Sequence, residues 1–280
     1  MKDKADRIPD FVVNYLIRII HQDEINYILE TYHDLQGVDF MEALVGYFNV
    51  ELVVKNKTDK VDSTLKDEAN LVRLNMKNEE IFPAVGKKYI FVSNHPLGGF
   101  DGICLSYLLG KQYDGKVRCF VNDLLLNIPN LQSIFVPINK HGTQSKEAAL
   151  KAEEAYLSDN HIITFPAGLC SRKHKGTICD LEWKKSFIQK AISYERDIVP
   201  IHFEGRNSNF FYRFANIRKF FNIKINLEML YLPDELFSQK NKTFNIHIGK
   251  PIPWQTFDST KKASEWASCV KEEVYKLATI

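Results

Sequence analysis

Several features that would mark a particular class of protein are missing from this 280-residue sequence. Its five cysteines are scattered and include no Cys-x-x-Cys pair, which fits a reduced cytoplasmic compartment better than a disulfide framework. The longest apolar runs are too short to span a bilayer, and the first twenty residues lack the cleavage site of a signal peptide. A formal net charge of +2 is too small to indicate a nucleic-acid partner. Any contact with a membrane is therefore expected to be made from its surface.

The common motifs of cofactor and nucleophile enzymes are missing as well. There is no Gly-x-Ser-x-Gly elbow, no phosphate-binding P-loop and no dinucleotide fingerprint. The histidines show no metal-ligand spacing. We therefore expect no metal and no resident cofactor.

What is present is the composition of a globular protein, with 45% hydrophobic and 26% charged residues. Residues 9–48 have apolar side chains at helical spacing, and 62–74 suggest a capped helix. From residue 88 onward, short apolar runs alternate with amphipathic stretches, which is typical of strand and helix in alternation. The predicted fold class is α/β, with a mainly parallel central sheet covered by helices and an N-terminal helical extension. We place the extension at 1–50 and the main domain at 51–280, and predict a strand at 225–232.

The first chemically informative segment is FVSNHPLGGFDG at 91–102. His95 follows a strand of the buried type, and Asp101 follows a Gly-Gly turn. An imidazole can take a proton from an attacking hydroxyl, and a nearby carboxylate can fix its tautomer. Alternatively, Asp101 could be the N-cap of a helix at 102–109, and His95 could be a loop residue bonded to backbone.

The second informative segment, 162–175, runs from a strand into a Pro-Gly turn, a hydroxyl and several cations. Arg172 and the backbone N–H groups near Gly168 could bind an anionic group. The alternative is a solvated basic turn. The sequence around Cys170 lacks the histidine and aspartate partners that activate a nucleophilic cysteine, so we interpret Cys170 as an inert thiol.

Together with 135–140 and 198–202, these two segments resemble the four ordered blocks of the glycerolipid acyltransferase superfamily, which includes 1-acylglycerol-3-phosphate and lysophospholipid acyltransferases. The resemblance covers about residues 50–253 and makes the main domain an acyltransferase domain. It implies transfer of a fatty acyl group from acyl-CoA or acyl carrier protein to the hydroxyl of a lyso-lipid. Lipid biosynthesis at a membrane would be the setting.

The resemblance also assigns roles to individual residues. His95 would be the general base and Asp101 the carboxylate that orients it. The substrate-binding positions would be Asn94, Gly98, Gly99, Lys140, Gly168, Ser171 and Arg172.

Two departures from the superfamily pattern affect this interpretation. Five residues separate His95 from Asp101, where the superfamily has four, so the loop must bulge at Gly98 and Gly99. Ala167 replaces the glutamate of the Phe-Pro-Glu-Gly block. The motifs look more like a bacterial, hemolysin-like branch that includes enzymes proposed to acylate amino-acid-containing lyso-lipids.

A basic and aromatic segment at 206–224 has the pattern of a helix that lies on an anionic membrane interface. No acid occurs in it to oppose its cations. The predicted membrane contacts are Phe210, Arg213, Phe214, Arg218 and Phe221. A helix that packs on the core with a solvated face is the alternative. The expected location is peripheral, on the cytoplasmic face of the cell membrane.

Two other functions remain open from the sequence. One is a non-catalytic, lipid-binding protein of the membrane surface with the same fold. The other is a thioesterase that uses water in place of a lipid hydroxyl.

Overall fold

A computed structural model of the chain describes residues 9–56, 81–122, 128–138 and 146–279. Two predictions lie outside these ranges: the helix suggested within 62–74, and the substrate-binding role of Lys140.

Nine helices lie in the described ranges, and all but the eighth were predicted from the sequence. They are α1 (Asp10–Ile19), α2 (Gln22–Thr31), α3 (Gly37–Tyr47), α4 (Phe100–Gln112), α5 (Lys146–Leu157), α6 (Ser186–Ser193), α7 (Asn209–Phe220), α8 (Leu232–Phe237) and α9 (Ala263–Lys276). The strands are β1 (Glu51–Asn56), β2 (Tyr89–Ser93), β3 (Val117–Asn122), β4 (Phe135–Ile138), β5 (His161–Thr164), β6 (Arg172–His174), β7 (Thr177–Cys179), β8 (Asp197–Phe203) and β9 (Thr243–Ile248).

Seven of these strands form one sheet in the order β1-β9-β8-β2-β5-β3-β4. All neighbouring strands pair in parallel except β8 and β9, so the prediction of a mainly parallel sheet is confirmed. Strands β2, β5 and β8 lie side by side, and all of their residues are buried. Their runs of branched and aromatic residues are what a strand covered on both faces requires.

The N-terminal helices pack on the same core as the sheet. Phe40, Met41 and Val45 of α3 belong to the cluster of buried side chains that also contains residues of β2, α4 and β8. Helices α3 and α4 approach closely because Gly110 lacks a side chain: a Cβ at that position would lie 2.4 Å from Val38 Cγ2. The contact packs α3 directly against α4.

The structure corrects the strand predicted at 225–232. Leu227–Tyr231 form a 3₁₀ turn, and α8 begins at Leu232 with a proline in its first turn. Proline is well tolerated there because its missing N–H has no partner inside a helix. Glu228 is fully buried in this turn beside two arginines, a contact that sequence periodicity does not reveal. The antiparallel hairpin of β6 and β7 was also not predicted.

Within the described ranges, no helix has the length and apolar character needed to cross a membrane.

Candidate active site

The predicted site residues lie where three parallel strands end. Strand β2 leads to His95, β5 leads to the turn at 165–168, and β8 leads to the loop at 204–208. In a parallel sheet these strand ends share one edge, which is the usual position of a functional site. A hydrogen bond of 2.8 Å from the backbone N–H of Ser171 to the carbonyl of His95 joins the first two loops directly.

His95 and Asp101 are in contact, with 3.0 Å between Nδ1 and Oδ2. Asp101 is completely buried and also accepts the backbone N–H groups of Leu97, at 3.0 Å, and Gly102, at 2.9 Å. Helix α4 begins at Phe100 with Gly99 as its N-cap, so the alternative in which Asp101 is the N-cap is wrong. The five-residue spacing therefore does not separate the pair.

Gly98 allows the loop between the pair to close. Its φ is +76°, a conformation that glycine adopts without strain. A Cβ at this position would lie 3.0 Å from both Cys170 Cβ and Leu232 Cδ2. Gly99 is different, because its φ of 179° is ordinary extended backbone and a Cβ there would meet nothing within 4 Å. Only Gly98 is required by the local geometry.

The imidazole of His95 is held on two sides. Asp101 bonds its Nδ1, and the ring of Phe165 stacks on it with centroids 4.3 Å apart. The side chain is 16% exposed, and among the described residues none hydrogen-bonds its Nε2. With the proton on Nδ1 donated to the carboxylate, Nε2 presents a lone pair to solvent. The arrangement suits a general base.

Asp180 organises the backbone of this site, a role that the sequence analysis did not find. Its Oδ1 accepts the backbone N–H of His95 at 3.1 Å and the hydroxyl of Ser171 at 2.6 Å. Its Oδ2 accepts the indole N–H of Trp183 at 2.9 Å, and its own backbone N–H donates to the Tyr275 hydroxyl. Local sequence pattern could not reveal this role, because Asp180 is 85 positions beyond the histidine whose backbone it holds.

Two of the predicted substrate-binding side chains hold the protein together instead. The Asn94 amide donates to the carbonyl of Phe203 at 2.9 Å and accepts its N–H at 2.7 Å, which ties the end of β8 to the end of β2. The Ser171 hydroxyl is buried against Asp180. Both groups are enclosed and already paired within the protein. The substrate-binding role assigned to each of them stays a prediction.

Arg172 and Arg218 converge on buried Glu228. Arg172 Nη2 lies 2.9 Å from Glu228 Oε1, and Arg218 Nε lies 2.7 Å from Oε2. Each arginine side chain is only 14% exposed. The expectation that the cations of 206–224 are unopposed is therefore wrong for Arg218, because its acid partner comes from the following 3₁₀ turn.

The turn after β5 lies at the same edge of the sheet as His95, and one further cation, Lys184, lies beside it. Gly168 has a φ of +68°, and Ala167 is buried. Lys184 places its Nζ 3.7 Å from the position that a Cβ of Gly168 would occupy. Its backbone N–H donates to the carbonyl of Pro166 at 3.0 Å. Sequence reasoning missed Lys184 because it is sixteen positions beyond the glycine that it contacts.

Cys170 was predicted to be an inert thiol, and the structure agrees. Burial raises the pKa of this thiol, which also lies 2.9 Å from an Arg172 nitrogen. Burial likewise raises the pKa of Cys119 to about 12. A thiol that stays protonated is a poor nucleophile. Within the described ranges, no three His, Cys, Asp or Glu side chains are grouped as a metal ion would require.

The predicted membrane-contact helix exposes an apolar surface. Phe210, Ile217 and Phe221 are 53%, 54% and 66% exposed, while α7 buries Phe211 and Tyr212 on its other face. Tyr231 connects α7 to α1, because its ring packs on Phe210 and its hydroxyl bonds that of Tyr15. Tyr231 therefore contacts one residue of each of these two helices.

The site thus places a histidine and carboxylate pair, groups suited to acid–base chemistry, at the carboxyl edge of a mainly parallel sheet. A family model described as acyltransferase matches residues 74–279, and the chain belongs to that family.

The chain is also 50% identical to two curated proteins called lyso-glycine lipid O-acyltransferase. The one from Phocaeicola vulgatus aligns over 99% of this chain and 92% of its own length. The one from Bacteroides thetaiotaomicron aligns over 96% and 91%. Among solved structures, the 1-acyl-sn-glycerophosphate acyltransferase PlsC from Thermotoga maritima matches with 14% identity and a TM-score of 0.49, over 96% of this chain and 94% of that one.

Proposed function

We propose that this acyltransferase moves a fatty acyl group from a thioester of coenzyme A or acyl carrier protein to the hydroxyl of an amino-acid-containing lyso-lipid. The observation that carries the proposal is the pair of His95 and buried Asp101, 3.0 Å apart, with Nε2 of the imidazole directed away from the carboxylate. The relatives named for lyso-glycine lipid support the choice of acceptor over a glycerol phosphate.

In the proposed reaction, His95 Nε2 removes the proton of the acceptor hydroxyl as its oxygen attacks the thioester carbonyl. The new C–O bond forms, the C–S bond breaks, and the proton passes from the imidazolium to the departing thiolate. Asp101 keeps the proton on Nδ1 and stabilises the imidazolium, as a carboxylate does in related dyads and triads. No acyl-enzyme intermediate is needed.

The start of α4 offers donors for the negative charge that develops on the carbonyl oxygen. In the described part of the chain, the backbone N–H groups of Gly98, Gly99 and Phe100 donate to no other group. Backbone N–H groups at a helix N-terminus favour a developing anion. We assign them as the oxyanion donors.

The test measures release of free thiol from an acyl thioester with and without a lyso-glycine lipid. We expect release only with the acceptor, and a loss of at least about a thousandfold in His95→Ala. His33→Ala is the matched control, because His33 is 69% exposed and has no proposed role in the reaction. Retained acyl transfer in the folded His95→Ala protein would refute the role of His95.

The same assay separates the two alternatives. A thioesterase would release thiol without any acceptor. A non-catalytic lipid-binding protein would release none under either condition, although it would still bind the lipid.

We also propose that the enzyme works at an anionic membrane surface, on the cytoplasmic face of the cell membrane. Support comes from the exposed side chains of α1 and α7: Phe11 and Phe220 are 74% and 83% exposed, and Arg213 and Lys219 are solvated. Aromatic rings can enter the interface while cations meet the lipid head groups.

Sedimentation with vesicles tests the membrane proposal. We expect the protein to pellet with anionic vesicles at low salt, and a variant with Phe220→Glu and Phe221→Glu to remain in the supernatant. Leu157→Glu is the control, because Leu157 is 63% exposed on α5, outside this surface. Equal pelleting of both variants, or no pelleting of the wild type, would contradict the proposal.

A further inference from the structure

We propose that helix α9, near the end of the chain, positions the general base, with Tyr275 and Lys271 as the positioning residues. The inference rests on the proposed function and adds two residues to it. It follows from the bonds between α9 and Asp180, from the contacts that fix α9 itself, and from the bonds that lead from Asp180 to His95.

The main chain of Asp180 depends on α9 for its hydrogen bonds. Residues 180–184 lie in neither a helix nor a strand, so their backbone groups must find partners elsewhere. The N–H of Asp180 donates to the Tyr275 hydroxyl at 2.7 Å, and its carbonyl accepts from the Lys271 ammonium at 2.8 Å. Lys271 also donates to the carbonyl of Leu181 at 2.9 Å. Two side chains of one helix therefore hold both backbone polar groups of Asp180.

The two side chains are themselves fixed in place. They are four positions apart in α9, which puts them on the same face of the helix, and the Lys271 ammonium lies 5.9 Å from the centre of the Tyr275 ring. The tyrosine ring also packs edge-on against buried His202 of β8, with centroids 5.6 Å apart. Val270 and Val274 of α9 are buried in a cluster shared with α6 and β8. Helix α9 is thus a firm support for Asp180.

Asp180 transmits this position to His95. Its carboxylate accepts the N–H of His95 at 3.1 Å and the Ser171 hydroxyl at 2.6 Å. The N–H of Ser171 donates in turn to the carbonyl of His95 at 2.8 Å. Both backbone polar groups of the histidine are therefore tied to Asp180, one directly and one through Ser171. Because a displacement of about 1 Å in an active site can cost about a hundredfold in rate, the bonds from α9 should matter for proton transfer.

The first experiment compares two tyrosine variants that each lose one hydrogen bond, with acyl transfer to a lyso-glycine lipid as the assay. Tyr275→Phe leaves the N–H of Asp180 unpaired, and we expect kcat to fall about tenfold while KM changes less than about twofold. Tyr113→Phe is the matched control, because Tyr113 is buried at the far end of α4 and donates to the Pro83 carbonyl at 2.9 Å.

The control should keep the wild-type kcat and KM although its denaturant midpoint falls by a similar amount. An unchanged kcat in Tyr275→Phe would overturn the role of the tyrosine.

The second experiment changes the lysine. Lys271→Met keeps most of the apolar stem but removes the bonds to both carbonyls, whereas Lys271→Arg keeps donors at this position. We expect kcat to fall about fivefold in the methionine variant and to stay within about twofold of wild type in the arginine variant. Lys276→Met, which removes an exposed lysine of the same helix that pairs with Glu273 at 2.7 Å, should leave kcat unchanged. Equal losses in the methionine and arginine variants of Lys271 would contradict a role through these bonds.

A double-mutant cycle tests whether Tyr275 acts through Asp180. Tyr275→Phe should lower kcat much less in the Asp180→Asn protein than in the wild type, because the carboxylate that transmits its effect is already missing. The full loss in both backgrounds would show that Tyr275 acts by another route, and it would overturn the inference.

Amide hydrogen exchange at His95 separates this inference from the proposed function, because it needs no acceptor. We expect the N–H of His95 to exchange at least about tenfold faster in Tyr275→Phe than in Tyr113→Phe. If the wild type transfers no acyl group but exchange at His95 responds in this way, the proposed function is wrong and the positioning by α9 stands. If acyl transfer occurs and exchange at His95 is equal in the two variants, the proposed function stands and the inference is overturned.

Discussion

Asp180 accepts the backbone N–H of His95 at 3.1 Å, although the two residues are 85 positions apart in the chain. The same carboxylate accepts the Ser171 hydroxyl and the Trp183 indole N–H. It therefore fixes the position of the histidine backbone relative to the turn that follows β5. We interpret Asp180 as a positioning residue, since it acts on the imidazole through the main chain.

Asp180→Asn should lower kcat by roughly tenfold to a hundredfold with little change in KM, because a small displacement of the base slows proton transfer. The amide NH₂ would face one of the three donors, which should also cost about 1–3 kcal/mol of stability. Trp183→Phe keeps both bonds to Oδ1 and is the control. Kinetics that show an equal loss of kcat in both variants would contradict the positioning role.

Gly98→Ala should destabilise the protein by about 1–3 kcal/mol, because the new methyl group is forced against Cys170 and Leu232 in a left-handed backbone conformation. Gly99→Ala should cost less than about 1 kcal/mol, since a Cβ there meets nothing. Chemical denaturation measures both free energies of unfolding. Similar losses for the two alanine variants would show that the loop does not need glycine at position 98.

Glu228→Gln should destabilise the fold by about 3–5 kcal/mol, because it leaves Arg172 and Arg218 largely buried without a countercharge. Arg218→Met should cost less, because Arg172 still neutralises the carboxylate. The comparison again uses the free energy of unfolding. If the arginine variant proved the less stable of the two, the countercharge explanation would fail.

Stability should fall as the pH is lowered from about 6.5 toward about 4. Burial lowers the pKa of His161 and of His202 to about 4, and the backbone N–H of Tyr89 donates to Nδ1 of His161. The unfolded chain, with histidine pKa values near 6.5, binds protons in this interval that the native state does not, so unfolding is favoured. Both contributions are fully present above about pH 6.5.

His161→Gln should make this pH dependence less steep, as measured by denaturant midpoints at a series of pH values. His33→Gln should leave the slope unchanged, because His33 is exposed. A slope that is unaltered by His161→Gln would mean that other groups cause the acid sensitivity.

The sequence predicted the elements with strong periodicity and the pair of His95 and Asp101. Strands β2, β5 and β8 are continuous apolar runs, and α4 follows a glycine turn, so local pattern alone indicated them. The hydrophobic pattern predicted the wrong element at 225–232, because a short alternation of apolar residues fits both a strand and a 3₁₀ turn. In the fold, this turn buries Glu228 against Arg172, 56 positions earlier in the chain, and against Arg218, ten positions earlier.

Site residues that act through distant contacts were not predictable. Asn94 and Ser171 have the residue types of ligand-binding groups, and only the fold shows that Phe203 and Asp180 already occupy them. The position of Lys184 could not be predicted from the sequence. The lysine comes close to Gly168 only because the folded chain returns to this edge of the sheet.

By itself, the sequence determined the α/β class, the order of the elements and the residue types at the ends of β2 and β5, because these follow from backbone preferences and local hydrophobic pattern. Only the tertiary structure decided which polar groups remain available to a substrate. Whether a side chain is free depends on the partners that folding brings to it, and those partners come from strands and turns far apart in the chain.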